Sequence, residues 1–221
     1  MTDALINVNG STVNSLDILL LMTVLTLLPS MVVMMTSFTR YVVSFSFLRT
    51  AMGTQQTPPN LVLVGMALIL TLFTMTPTIN AIKESAYDPY KEGRITQEEF
   101  FERAQEPLKE FMLNQTEIRN MELYCNMTDT PIPQSQDEAR ELPMTVIMPA
   151  FVTAELKHAF TIGFLLYIPF LLIDIIVSST LMSMGMVMLP PSMISTPFKI
   201  LLFILLDGWQ LLFSTLVGMI R

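Results

Sequence analysis

Cysteine, histidine and tryptophan occur once each, at Cys125, His158 and Trp209. One cysteine cannot close a disulfide within the chain and leaves no cysteine metal site. One histidine leaves almost nothing for a catalytic triad or a histidine-based metal centre. Charge is scarce as well: 14% of the 221 residues are Asp, Glu, Lys or Arg, against about 25% in soluble domains. No basic patch points to nucleic acid. The opening stretch MTDALINVNGSTVNSLD has no Lys or Arg and so lacks the positive n-region of a signal peptide. Two routes stay open for targeting: a signal already removed, or the first apolar stretch itself.

What is present is apolar. Hydrophobic residues make up 52% of the chain and the mean hydropathy is +0.54, the composition of a membrane protein. Residues 83–158 hold 8 of the 12 Lys/Arg and 15 of the 19 Asp/Glu, a local net charge of −7. The other 145 residues hold four of each sign. Two apolar blocks therefore flank one acidic, water-facing segment.

The first uncharged run, Ile18 to Thr39, has 22 residues, enough for a spanning helix of about 20. Pro29 inside it predicts a kink. Arg40 and Arg49 follow, then the polar linker GTQQTPPN at 53–60. A second run covers Leu61 to Ile82, with Pro77 near its end and Gly65 as a close-packing point. In the acidic segment, Thr96 with Glu99 fits a capping box. Phe101, Ala104, Leu108 and Phe111 then recur at helical spacing. Residues 126–143 read as a loop. A third run spans Ala159 to Met188 around Asp174, and a fourth spans Ile200 to Met219 around Asp207. The expected class is all-α: membrane-associated helical hairpins flanking an acidic helical insert. Its expected divisions are a polar N-terminal segment (1–15), a first hairpin (16–82), the insert (83–158) and a second hairpin (159–221). If all four runs span, residues 40–60 and 183–199 share a side. Arg40 and Arg49 place that side in the cytoplasm, and the insert outside.

DPYKEGRITQEE, residues 88–99, has the outline of a calcium loop, with Asp88, Gly93 and Glu99 at positions 1, 6 and 12. Tyr90 at the third ligand position is unsuitable, and a turn before a capped helix is the plainer reading. His158 beside Lys157 reads as a boundary residue. The charges inside or beside apolar runs carry more: Arg40, Glu155, Lys157, Asp174, Lys199 and Asp207. Such groups are costly in lipid and face protein or a watery cavity. Snorkelling to water suits Lys157 and Arg40, but a short carboxylate such as Asp174 or Asp207 cannot reach far. Lys199 and Asp207 are eight residues apart, about 12 Å of helical rise, so each needs a partner elsewhere. The expected pair is Glu155 with Lys199, between segments or between subunits.

Residues 182–191 read MSMGMVMLPP, with methionine at every second position from Met182 to Met188. Core methionines fill gaps, which is the plain reading. Yet Gly185 and Pro190–Pro191 break the helix and free backbone groups, tolerated in a membrane only when buried in protein or lining a cavity. If the stretch is extended, Met186 and Met188 share one side. Packing and pore constriction both stay open on these residues alone.

Together, LPSMVVMMTSFTRYVVSFSFLRTAMGTQQTPPN, FVTAELKHAFTIGFLLYIPFLLIDIIVSS and LMSMGMVMLPPSMISTPFKILLFILLDGWQLL resemble the FliP family, the P-subunit of the flagellar type III export gate, with counterparts in virulence injectisomes. The resemblance covers most of residues 28–82 and 143–214; the insert is only loosely similar. It implies a non-enzymatic pore subunit without cofactors, forming a homopentamer with small Q and R subunits. The B and A export proteins (FlhB and FlhA) join them. Unfolded flagellar proteins pass across the bacterial inner membrane, with the insert on the periplasmic side. The resemblance also implies a helical cone standing largely above the bilayer, so apolar runs need not face lipid. By position, Met184, Met186, Val187 and Met188 fall in the family's methionine gasket. The middle residue of its usual three is here Val187, stiffer at χ1. Glu155 and Lys199 match charged family positions. Insert length and GTQQTPPN favour flagellar over injectisome use. The alternative class is a secondary transporter or channel for a small solute, with Asp174 and Asp207 as coupling sites; it would be expected to show repeated halves, and no repeat is apparent. An intramembrane hydrolase lacks a nucleophile and base pair.

Overall fold

The computed structural model describes residues 5–8 and 11–220. Two short strands, β1 (Leu5–Val8) and β2 (Ser11–Asn14), pair antiparallel with Leu5 opposite Asn14 and Val8 opposite Ser11. They are an addition to the helical class expected. The Asn9–Gly10 dipeptide between them is a hairpin signal in the sequence. Helices make up the rest of the described architecture.

The first apolar run does not form one straight helix. α1 (Ser15–Met35) runs through Pro29, and α2 (Phe38–Met52) leaves it at an angle of 82°. The sharp bend falls at Thr36–Ser37, seven residues past the proline. Hydroxyls explain it. The Thr36 side chain donates to the Val32 carbonyl, and Thr39 Oγ1 donates to the Val33 carbonyl at 2.8 Å. They take carbonyls that a continuing helix would have bonded through its backbone. Ser37 Oγ then lies 3.0 Å from Thr74 Oγ1 of α3 (Asn60–Ile82), fastening the corner.

α3 continues through a π-helical turn, Lys83–Tyr87, into α4 (Asp88–Lys91). Residues 88–91 are therefore helical, without the open loop a calcium site of the outlined kind needs. Thr96 caps α5 (Gln97–Gln115) with the reciprocal Thr96–Glu99 bonds read from the sequence. α6 (Ile118–Met127) and α7 (Gln136–Glu141) complete the insert. The last two residues of α6 and all of α7 lie in 126–143, expected to be a loop; Ser135 caps α7 by accepting from the Glu138 N–H.

α8 runs unbroken from Met144 to Ser183. The expected boundary at residue 158 thus falls inside a helix. Forty residues make about 60 Å, twice a bilayer's apolar core. Its N-terminal half packs into the insert. From Phe164 onward its apolar side chains are mostly exposed, among them Phe164, Leu165, Leu172 and Ile176. α9 (Pro191–Leu205) and α10 (Gly208–Gly218) form a bent pair at 65°. The bend is at Asp207, in the left-handed region (φ 47°). A Cβ at Gly208 would lie 2.3 Å from the Phe203 ring, so the tight approach needs glycine.

Among the described residues, two helices, Asn60–Lys91 and Met144–Ser183, are long and apolar enough to cross a membrane, and the two bent pairs raise that to as many as four. Among the described residues, the two larger of three apolar clusters sit in series along α8. One joins Phe45 and Leu48 of α2 to Leu63, Ile162, Phe170, Phe203 and Leu216. The other joins Phe111, Met112 and Cys125 to Val146, Ile147 and Phe151. The Phe47 ring of α2 packs tightly against α8 at Gly163, where a Cβ would meet it at 2.5 Å. Gly163→Ala should cost about 1–3 kcal/mol through overpacking, read as a lower melting temperature in detergent. Adding Phe47→Leu should recover part of that loss.

Candidate functional site

Arg40 lies where the two cores meet. It follows the α1–α2 corner, and its side chain is fully buried, as is that of Glu155. Arg40 Nε donates to Glu155 Oε2 at 3.0 Å, and Nη2 donates to Oε1. This two-pronged pairing suits a planar guanidinium. Nη2 also reaches Gln115 Oε1 of α5 at 3.1 Å and His158 Nδ1 at 2.9 Å. Nη1 donates to the Met219 carbonyl at 3.4 Å, at the C-terminal end of α10. A cation there meets the negative end of the helix dipole. One side chain thus ties α2, α5, α8 and α10 together. Snorkelling to water, expected for Arg40, is overturned by its burial. It does hold for Lys157, which is exposed and pairs with Glu117 at 2.5 Å.

The expected Glu155–Lys199 pair is replaced within the chain by two others. Glu155 is held by Arg40. Lys199 Nζ donates to Asp174 Oδ2 at 2.6 Å and to the Ala51 carbonyl at 3.0 Å. Ser195 Oγ donates to the other Asp174 oxygen at 2.6 Å. Sequence distance misleads here. Glu155 and Asp174 lie nineteen residues apart on one helix, about 28 Å, so α9 cannot present Lys199 to both. This second charged knot pins the middle of α9 to α8 and to the C-terminal end of α2. Asp207, which the sequence reading also requires to find a partner, is exposed at the α9–α10 bend, and no carboxylate contact is recorded for it among the described residues.

The methionine stretch follows at the C-terminal end of α8, beyond Asp174, and its own backbone bonds hold it in a turn. α8 ends with Gly185 in the left-handed region (φ 77°). Met186 N donates to the Leu181 carbonyl at 3.0 Å, and Gly185 N to that of Met182 at 3.1 Å. That is the glycine-terminated helix end with paired carbonyls. The backbone groups expected to be left free are largely satisfied. Nor is the stretch extended: Leu189 N closes a turn onto the Met186 carbonyl at 3.5 Å, with Val187 and Met188 at its tip. Met188 is 98% exposed and Val187 79%; Met184 and Met186 are exposed as well. Apolar side chains crowd the tip of a hairpin, exposed among the described residues.

The sequence singles out Arg40, Glu155, Asp174 and Lys199 but misses Gln115 and the role of His158. Glu155 and His158 are three residues apart, hence on one face of a helix. That spacing was the signal for a common partner.

A model of the FliP family matches residues 21–216. The chain is similar to the flagellar biosynthetic protein FliP of Pectobacterium carotovorum, 47% identical over 216 residues, covering 98% of this chain and 83% of that one. It is 47% identical to the protein of the same name in Bacillus subtilis over 204 residues (92% and 91% covered). In Aquifex aeolicus the figure is 48% over 208 residues (94% and 87%).

Removing one partner of a buried ion pair strands the other. Arg40→Ala and Glu155→Ala should each cost about 3–5 kcal/mol, measured by denaturation in detergent. The double change Arg40→Met with Glu155→Leu should cost less than either. Lys157→Ala should cost far less, because exposed pairs contribute little. The hydrogen bond from Lys157 lowers the Glu117 pKa from its ordinary 4.5. Its small contribution is therefore present above about pH 4.5 and lost as pH falls through the lowered value. Melting of Lys157→Ala against the parent at pH 7 and pH 3 checks the sign.

Proposed function

The chain belongs to the FliP family, which makes it a component of the flagellar export apparatus, and from that premise we propose that it is a pore-forming core subunit of the type III export gate. Its substrates are unfolded flagellar proteins crossing the inner membrane, and its action is gating without bond chemistry. The observation that carries this reading is the uncovered turn Met184–Leu189 at the tip of the α8–α9 hairpin. Copies of the chain arranged around an axis bring these tips together. Unbranched thioethers then close on one another, or mould around a passing chain of varied shape. Val187 at the turn supplies a stiffer apolar wall.

The exposed apolar faces of α3 and α8 need cover. Neighbouring copies, the Q and R subunits and membrane lipid provide it, and FlhB and FlhA join the assembly. The acidic insert lies on the periplasmic side, opposite the loops carrying Arg49. A solute transporter is disfavoured by Asp174, whose two oxygens are already taken by Lys199 and Ser195.

The expected result of replacing Met186 and Met188 with alanine is a resting gate that leaks ions several times faster while still assembling. Met188→Leu, which keeps apolar volume, should leak little. Conductance across vesicles holding the assembled gate measures both, and an unchanged leak in the double variant overturns the seal.

A further inference from the structure

We propose that His158 is an acid-sensitive latch: a proton taken up at Nδ1 breaks its hydrogen bond with Arg40 and loosens the grip of Arg40 on the C-terminal end of α10. The inference rests on side-chain geometry within one chain and does not depend on the export-gate reading.

His158 Nδ1 lies 2.9 Å from Arg40 Nη2. An arginine donates only and keeps its charge throughout the physiological range. Nη2 has two hydrogens, one directed at Glu155 and the other shared by Gln115 Oε1 and His158 Nδ1, so His158 accepts as a neutral ring with its proton on Nε2. A proton on Nδ1 would leave two donors and two cations face to face at this distance. Among the described residues, the charged and titratable groups around the cluster are Arg40 and Tyr41 of α2, Glu155 and Lys157 of α8, and Glu117 between α5 and α6, with Arg119 near it. Gln115 and the Met219 carbonyl add neutral polarity. Glu155 is already occupied by Arg40, and Glu117 by Lys157. Of these, Glu117 is the carboxylate toward which a charged imidazole can swing, away from the buried side.

The consequence reaches the hairpin through Arg40, which holds both His158 and the Met219 carbonyl. Ile220 beside that carbonyl packs against both apolar cores. Loss of the His158 contact lets Arg40 turn further toward Glu155, and the longest of its bonds, 3.4 Å to Met219, is the first to go. An imidazole in an unfolded chain takes its proton near pH 6.5. The folded ring surrenders a hydrogen bond to do so. Stability present above pH 6.5 is thus lost as pH falls below it.

Trp209 reports on the hairpin, because the chain's single tryptophan packs on Phe203 at 5.3 Å and Phe213 at 5.8 Å. The full chain in detergent should show a shift in Trp209 emission and a drop in melting temperature with a midpoint below the ordinary imidazole value of about 6.5. His158→Gln, which keeps an acceptor and cannot titrate, should hold the high-pH signal throughout. His158→Lys, a permanent cation, should show the low-pH signal at pH 8. No transition in the parent chain, or an unchanged one in His158→Gln, overturns the proposal.

Discussion

The deepest charge cluster in this fold depends on Arg40. Its guanidinium cannot be neutralised, so a position with no access to water must surround it with acceptors. Glu155, Gln115, His158 and the Met219 carbonyl do so from three other elements. Buried ion pairs are poor stabilisers, since desolvation consumes most of the attraction. What this one secures is geometry. Four elements must arrive together for the charge to be tolerated, and a misdocked α5 or α10 leaves it stranded. The α1–α2 corner belongs to the same arrangement, because the hydroxyls at 36, 37 and 39 turn the chain just before residue 40 and aim it inward.

The second knot does a similar job nearer the turn. Lys199 joins α9 to Asp174 on α8 and to the end of α2, with Ser195 completing the carboxylate's partners. Between the knots lies an apolar core that leaves much of α3 and α8 bare. The described chain is therefore internally satisfied in its buried charges and unsatisfied in its apolar surface. That imbalance is what a subunit of a larger membrane-associated assembly requires.

Much of this was legible in the residues. Uncharged runs located the apolar helices, Thr96–Glu99 located a helix start, and Gly185 with Pro190 located a helix end. The long motifs around Arg40, Glu155 and Lys199 carried the family. Two things were out of reach. Helix termini set by side-chain hydroxyls are weaker signals than proline, so the corner at Thr36–Ser37 was expected at Pro29. Charge pairing depends on how helices cross, which one sequence does not encode, so Glu155 was matched to Lys199 rather than Arg40. The methionine turn was found for partly the wrong reason: its backbone is well paired, and only its side chains are left uncovered.

The central claim is that the tips of this turn face one another around a shared axis. Disulfide trapping tests it directly. With Cys125 replaced by serine, Met188→Cys in the assembled complex should form crosslinks between copies under mild oxidation, and a substrate stalled in transit should suppress them. Absence of crosslinks at 188, with ready crosslinking when cysteine is placed instead on the exposed face of α3, would contradict the account.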